Sequence, residues 1–248
     1  MPWHSRLLLA PLCWLVTAPA WAAFTVTFAE NVSGTPWSGS ASADVTISAS
    51  SGDTVCVAFG VESSSKTLAA TPVTDDAGSS YGAAAAYIVQ NNYAAAPLYQ
   101  QAYCAIAAGT VTVVHAAYTA SFATNGYLVA WSIQGARATL GTPLASNTQQ
   151  DSTGTTHTSN QVTITDATAM ILGVGFGTGS EVYTNEAGWT QDANRVNLLV
   201  GHKSVSANET WDYTSATNAT VGTMAWEIRP AATGSSVNFF PRRLQVNP

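Results

Sequence analysis

The stretch Tyr127-Leu128-Val129-Ala130-Trp131-Ser132-Ile133 decides how this chain is read, because it recurs as Thr223-Met224-Ala225-Trp226-Glu227-Ile228. Both copies are rich in strand-favouring residues and set a tryptophan in a period of two. In the first, Tyr127, Val129, Trp131 and Ile133 point one way; in the second, Met224, Trp226 and Ile228 do, with Ala225 and Glu227 opposite. Each apolar face is expected to cover an inter-sheet core. Trp131 and Trp226, with Phe59 and Phe176, are therefore the expected core anchors.

Working outward, the echo extends upstream. Val162-Thr163-Ile164 lies 117 positions after Val45-Thr46-Ile47, and Val174-Gly175-Phe176-Gly177 lies 117 after Val57-Ala58-Phe59-Gly60. Trp226 follows Trp131 by only 95, so the second unit is about 22 residues shorter between its third strand and its last. Ordered recurrence of three blocks predicts an internal duplication. Phe24–Phe28, Val45–Ile47, Thr54–Gly60, Tyr81–Val89, Leu98–Ile106 and Thr110–Ala116 read as strands, separated by Gly, Asn and Asp turns such as Asp75-Asp76-Ala77-Gly78. Ala83–Ala86 and Ala94–Ala96 carry no extended helical stripe and no cap, so strand is preferred there too. Without helical crossovers a parallel sheet is disfavoured. The fold class expected is all-β: two tandem jelly-roll-like antiparallel β-sandwich repeats, over 23–135 and 162–230, joined by a polar connector over 136–161 that has room for an edge strand. Whether the two share a core is left open by the sequence.

Composition narrows the function classes. Charged residues make up 9% and hydrophobic ones 46%, which excludes a disordered chain. The net charge is −6 and the few Lys and Arg are scattered, which disfavours a nucleic-acid partner. Residues 1–22 have the build of a secretory leader: one arginine, an apolar run from Leu7 to Ala20, and a small-residue cleavage site at Ala20-Trp21-Ala22. That run is too short to span a bilayer, and no later segment is long enough, so no membrane span is expected after leader removal. In an oxidising compartment Cys56 and Cys104 form a disulfide candidate, closing a loop of about 48 residues.

Candidates for chemistry are sparse. His115, His157 and His202 lack metal-ligand spacing. No nucleophile elbow, P-loop or dinucleotide fingerprint is present, and Gly173-Val174-Gly175-Phe176-Gly177 reads as small residues that allow close packing. Asp75, Asp76, Glu181, Glu186, Glu209 and Glu227 are the available carboxylates, but no pair has the geometry a glycosidase needs fixed by sequence. Asp75 and Asp76 are weak candidates for a Ca²⁺ site, with a hairpin turn as the plainer reading. Trp37, Tyr81, Tyr93, Tyr183, Trp189 and Trp211 sit at polar-flanked positions, where aromatic faces stack on sugar rings; ordinary rim packing is the alternative. In the tail, 231–248, Phe239-Phe240-Pro241-Arg242-Arg243 is either a frayed end or a docking peptide.

Gly52-Asp53-Thr54-Val55, Val73-Thr74-Asp75-Asp76-Ala77-Gly78, Leu128-Val129-Ala130-Trp131 and Ala187-Gly188-Trp189-Thr190 together resemble a loose pattern of bacterial secreted and phage tail-associated tandem β-sandwich proteins. The resemblance spans most of 24–230 and implies no catalytic residue. The expectation is an exported, non-enzymatic structural or adhesion protein that associates with itself or with other surface proteins. A carbohydrate-binding module, with glycans as partner, is the alternative. No cofactor is expected beyond the Ca²⁺ candidate.

Overall fold

The computed structural model describes residues 24–31, 41–62, 67–88, 98–119, 126–136, 154–159, 161–177 and 182–231, with 84–88 as backbone only. The leader, most of the connector, the tail, Trp37, Tyr93 and Glu181 lie outside them. The chain is all-β. The first half contributes β1 (Thr25–Asn31), β2 (Ser42–Ala49), β3 (Thr54–Glu62), β4 (Leu68–Asp75), β5 (Gly82–Ile88), β6 (Leu98–Ile106), β7 (Val111–Tyr118) and β8 (Gly126–Gln134). The second contributes β9 (Thr156–Thr158), β10 (Met170–Gly177), β11 (Tyr183–Asn185), β12 (Thr190–Arg195), β13 (Leu198–Ser204), β14 (Asp212–Ser215) and β15 (Val221–Ile228). The alanine-rich Ala83–Ala86 lies in β5, where pairing with β6 overrides helix propensity.

Every strand pair is antiparallel, and both halves use one pairing order. In the first, a five-stranded sheet β1-β8-β3-β6-β5 faces a three-stranded sheet β2-β7-β4. In the second, β15-β10-β13-β12 faces β9-β14-β11. This is jelly-roll order, with β5 and β12 added beside their hairpin partners β6 and β13 rather than on the opposing sheet. β9 falls inside the stretch read as connector, as an edge strand of its sheet. Val162 pairs with Glu209 as Val45 pairs with Val114, and the two displacements are the 117 and 95 of the sequence echo.

The sheets stack as four layers with three cores. Val45, Ile47, Val114 and Ala116 pack on Val55, Val57, Phe59 and Val61 inside the first sandwich. Ile171 and Leu199 pack on Trp211, Tyr213 and Tyr183 inside the second. Between the sandwiches, Cys56, Ala58, Tyr127, Val129, Trp131 and Ile133 meet Leu172, Val174, Phe176, Val200, Met224 and Trp226. The halves therefore share a core. The Trp131 and Trp226 faces line this shared core rather than either sandwich interior, with the rings edge to face at 5.7 Å. Trp131 Nε1 also donates to Asp192 Oδ2 of β12, 2.9 Å away, and Tyr127 packs on Phe176 at 4.9 Å.

This layering explains the pattern of the sequence. β2 has water on one side and alternates strictly between exposed and buried residues. β10 and β15 are covered on both faces, and every residue in them is buried. Cys56 and Cys104 stand directly opposite on β3 and β6, Cα atoms 4.1 Å apart, and are disulfide-bonded.

One match in the echo is out of step. Cys56 pairs with Trp131, and Leu172 pairs with Trp226, so Leu172 is the counterpart of Cys56, an offset of 116 rather than 117. A one-residue slip sends every side chain to the other face. Phe59 points into the first sandwich and Phe176 into the shared core, so they are not counterparts. The counterparts of Val57, Phe59 and Val61 are Gly173, Gly175 and Gly177. A Cβ on those glycines would collide with Trp211, Tyr213 and Tyr183 of the facing sheet. The second sandwich thus moves the core's bulk from the inner sheet to the outer one.

Candidate functional site

Strand β6 shows what the alternation does in the first sandwich. Leu98, Gln100, Ala102 and Cys104 turn toward the shared core and are buried. Tyr99, Gln101 and Tyr103 turn the other way and stay half-buried, because the three-stranded sheet above is narrower than the five-stranded sheet below. Beside them, between β4 and β6, opens a cleft of about 370 Å³ lined by Thr71, Pro72, Thr74, Ser80, Tyr81 and Tyr103, among others.

The shelf's polar groups are tied in place. Tyr103 Oη donates to Gln101 Oε1, and Gln101 Nε2 donates to Tyr99 Oη at 3.0 Å. The Tyr103 ring stacks on Phe59 with centroids 6.0 Å apart and planes 18° from parallel. Tyr99 sets its ring edge to face with Tyr118. Tyr81 Oη donates to Asp75 Oδ2 at 2.9 Å, while Asp75 Oδ1 accepts from Ala77 N at 3.0 Å and Ser79 N at 2.9 Å. Burial works to raise the Asp75 pKa, but these hydrogen bonds outweigh it and hold the carboxyl below its ordinary value. Burial raises the tyrosines: Tyr103 to about 12, Tyr99 above its usual value, and Tyr81 well above it with help from the Asp75 charge. The three phenols are neutral hydrogen-bonding groups at any physiological pH.

The other sequence candidates go elsewhere. Tyr183, Trp189 and Trp211 were expected at polar-flanked surface positions; they are instead buried at 2%, 8% and 0% exposure. Trp189 and Trp211 stack at 5.0 Å, and Trp211 Nε1 donates to Asn185 Oδ1 at 2.7 Å. Their polar neighbours are partners within the fold, and none of the three rings offers a free face to a ligand. Of the proposed aromatic set, only Tyr81 lies on the cleft among the described residues.

Asp76 accepts from Thr112 N at 3.0 Å, from the Thr112 hydroxyl and from Val113 N at 3.4 Å. Together Asp75 and Asp76 pin the β4–β5 turn to β7, with amide and hydroxyl donors on the lone pairs a Ca²⁺ ion would require. Among the described residues no group of three or more His, Cys, Asp or Glu is gathered as a metal would need. His157 is buried with Nε2 2.9 Å from Ser215 Oγ, His115 pairs with Asp44 on the surface, and His202 pairs with Asp192.

Glu227, which replaces Ser132 of the first copy, is 4% exposed. It accepts from Thr165 N at 2.6 Å, Asp166 N at 3.1 Å and Arg229 Nε at 3.0 Å. Burial raises its pKa, but the bonds from Thr165 and the Arg229 guanidinium prevail and hold it low. It ties the link before β10 to β15. In the first copy Asp53 does the corresponding job from the other end, accepting from Ser50 N at 2.8 Å and Ser132 Oγ at 3.4 Å. Glu209 pairs with Lys203 at 2.8 Å, and Glu186 Oε2 accepts from Asp212 N at 3.1 Å.

The sequence reading missed Tyr99, Gln101 and Tyr103. Their signal was present in part: the spacing i, i+2, i+4 sets two tyrosines and an amide on one face of β6, while the opposite face carries Leu98, Ala102 and Cys104, with Gln100 obscuring the contrast.

The fold and the shelf define a class, an all-β protein of two face-packed jelly-roll-like sandwiches with an aromatic cleft on the first. No protein-family model matches the chain, and no curated protein or solved structure matches it either.

Proposed function

We propose that this is an exported, non-catalytic adhesion-type protein that holds a surface partner on the shelf of its first sandwich. The observation that carries this reading is the shelf itself: aromatic and neutral polar groups, fixed by hydrogen bonds, converging on an open cleft. Export is supported by the leader-like residues 1–22 and the disulfide. No helix among the described residues is long and apolar enough to cross a membrane.

A non-catalytic role is supported by the carboxylates: Asp75, Asp76 and Glu227 are each held by several hydrogen bonds within the fold. Six of the eight sheet edges among the described residues discourage strand addition: the ladders of β2, β4, β5 and β12 carry register shifts, and β9 and β11 are three residues long. The other two edges, β1 and β15, have uninterrupted ladders and are where pairing with a second chain stays open.

Cell fractionation and protease shaving of intact cells expressing the full chain test the reading. The expected product lacks the leader and is cleaved by external protease. Retention in the cytosol with residues 1–22 intact overturns it.

A further inference from the structure

The geometry points to a neutral carbohydrate chain as the occupant of the Tyr81–Tyr103 cleft, an inference that rests on the binding role just proposed. Three properties of the lining select this chemistry. The first is the platform. Tyr103 has one face backed by Phe59, so its ring is held flat at the cleft wall, the arrangement on which the apolar C–H face of a sugar ring stacks. The second is the polar complement. Thr71, Thr74, Ser79, Ser80 and the Tyr81 and Tyr103 phenols ring the cleft, and hydroxyls both donate and accept, as a polyol ligand requires.

The third property is charge. Among the described residues no Lys, Arg or His lines the cleft, so an anionic ligand finds no counter-charge there. Asp75, hydrogen-bonded to the lining Tyr81, repels anions, while its oxygens are already engaged by Tyr81, Ala77 and Ser79 and offer little to a cation. A neutral, hydroxyl-rich ligand remains. The cleft's 370 Å³ lies at the small end of ligand sites, roughly 300–1,000 Å³, which suits a short stretch of saccharide. Because Tyr103, Gln101 and Tyr99 are already hydrogen-bonded in one chain and Tyr81 to Asp75 in another, little ordering is needed on binding.

The test uses the mature chain, leader removed, titrated calorimetrically with uncharged gluco-, xylo- and N-acetylglucosamine oligosaccharides, and with uronic-acid oligosaccharides as charged controls. Two variants accompany it. Tyr103→Ala removes the platform. Thr71→Arg fills the cleft from an exposed position and leaves the core untouched, which keeps the test decisive if Tyr103→Ala folds poorly. The expected result is saturable binding of at least one neutral series, weakened about tenfold or more by both variants. No binding of any neutral series, equal binding by the Thr71→Arg protein, or preference for the charged controls overturns the inference. Association of the same proteins with the cell envelope is measured in parallel. Envelope association that both variants abolish, without glycan binding, overturns the carbohydrate assignment and leaves the adhesion reading standing. Glycan binding without envelope association does the reverse.

Discussion

Gly173→Ala is the substitution that most directly tests how the second sandwich is packed. An alanine Cβ there would sit 2.5 Å from Trp211 Cε3, 2.7 Å from Cζ3 and 2.9 Å from Cδ2. Those are separations real Cβ atoms do not adopt, so the indole has to move. It is poorly placed to do so. Trp211 is fully buried, its Nε1 is bonded to Asn185 and its backbone N to Ser159 Oγ at 2.8 Å. Its ring is held between Trp189 at 5.0 Å and Tyr213 at 4.8 Å. Overpacking of such a site costs about 1–3 kcal/mol. The gain from replacing glycine in a strand, roughly 0.5–1 kcal/mol, offsets only part of that. A net loss of about 1–2 kcal/mol is expected, read as a lower urea midpoint at unchanged slope. Gly82, a strand glycine with nothing within 4 Å of a built Cβ, is the matched control, and Gly82→Ala should keep that gain, about 0.5–1 kcal/mol of added stability.

A double-mutant cycle sharpens the test. Trp211→Leu alone leaves a gap and should cost somewhat less than the 3–5 kcal/mol typical of Trp→Ala. In the Gly173→Ala/Trp211→Leu protein the new methyl occupies part of that gap. The double variant should be more stable than the sum of the singles by about 1–2 kcal/mol. Additivity within about 0.5 kcal/mol, or a Gly173→Ala protein as stable as the parent, would refute the exchange of bulk between the facing sheets.

Three further outcomes follow from the layering. The shared core makes the described halves one cooperative unit: Trp226→Ala, which uncovers Trp131 across the interface, should cost about 3–5 kcal/mol and lower a single calorimetric transition, whereas two independent transitions in the parent would refute the shared core. Replacing both Cys56 and Cys104 by alanine should cost about 4 kcal/mol in the chain-entropy view of a 48-residue loop, with reduction of the parent giving a comparable loss in a thermal melt. Acid should weaken the fold. Asp75 and Glu227 have folded pKa values below their ordinary ones, so their contribution is full above the unfolded value and is lost as pH falls through the folded value. The decline should begin below about pH 4.5 and be shallower in Glu227→Gln, and a slope identical in that variant would remove Glu227 from the account.

Much of the fold was legible because strand periodicity reports burial directly. The strands β10 and β15 were legible from their apolar residues and β2 from its alternation, whereas the burial of β10 and β15 on both faces emerges only in the structure. What alternation cannot reveal is which sheet covers a given face. Trp131 and Trp226 were identifiable as core residues, but that they meet each other follows from the stacking of two sandwiches, a long-range fact. The misplacement of Tyr183 and Trp211 has a local cause. β11 and β14 are three and four residues long, too short for a period to register, and Asn185 and Glu186 look like surface residues until they are seen hydrogen-bonding to Trp211 Nε1 and Asp212 N within the fold. The one-residue slip between β3 and β10 was hidden for another reason. Val-x-Phe-Gly matched at offset 117, while the hydrogen-bond register, which fixes the facing, runs at 116.

That slip bears on where a binding surface can form. Both sandwiches have the same strand order, and each must fill a core of similar thickness between its sheets. In the first, the inner sheet supplies the volume through Val57, Phe59 and Val61, so the facing strand β7 carries Val114 and Ala116. The tyrosines of β6 are then not required in the interior and remain at its rim, half-buried, with Tyr103 leaning on Phe59. In the second, the glycines of β10 contribute no side chain, and Tyr183, Trp211 and Tyr213 are drawn inward to fill the space. The same topology therefore gives one sandwich with its aromatics sealed and one with aromatics left over. The faces of β3, β8, β10 and β15 that do not serve their own sandwich are closed against each other. A rim cleft of the first sandwich is where this architecture leaves aromatic surface open, and it is there that Tyr81 and Tyr103 lie.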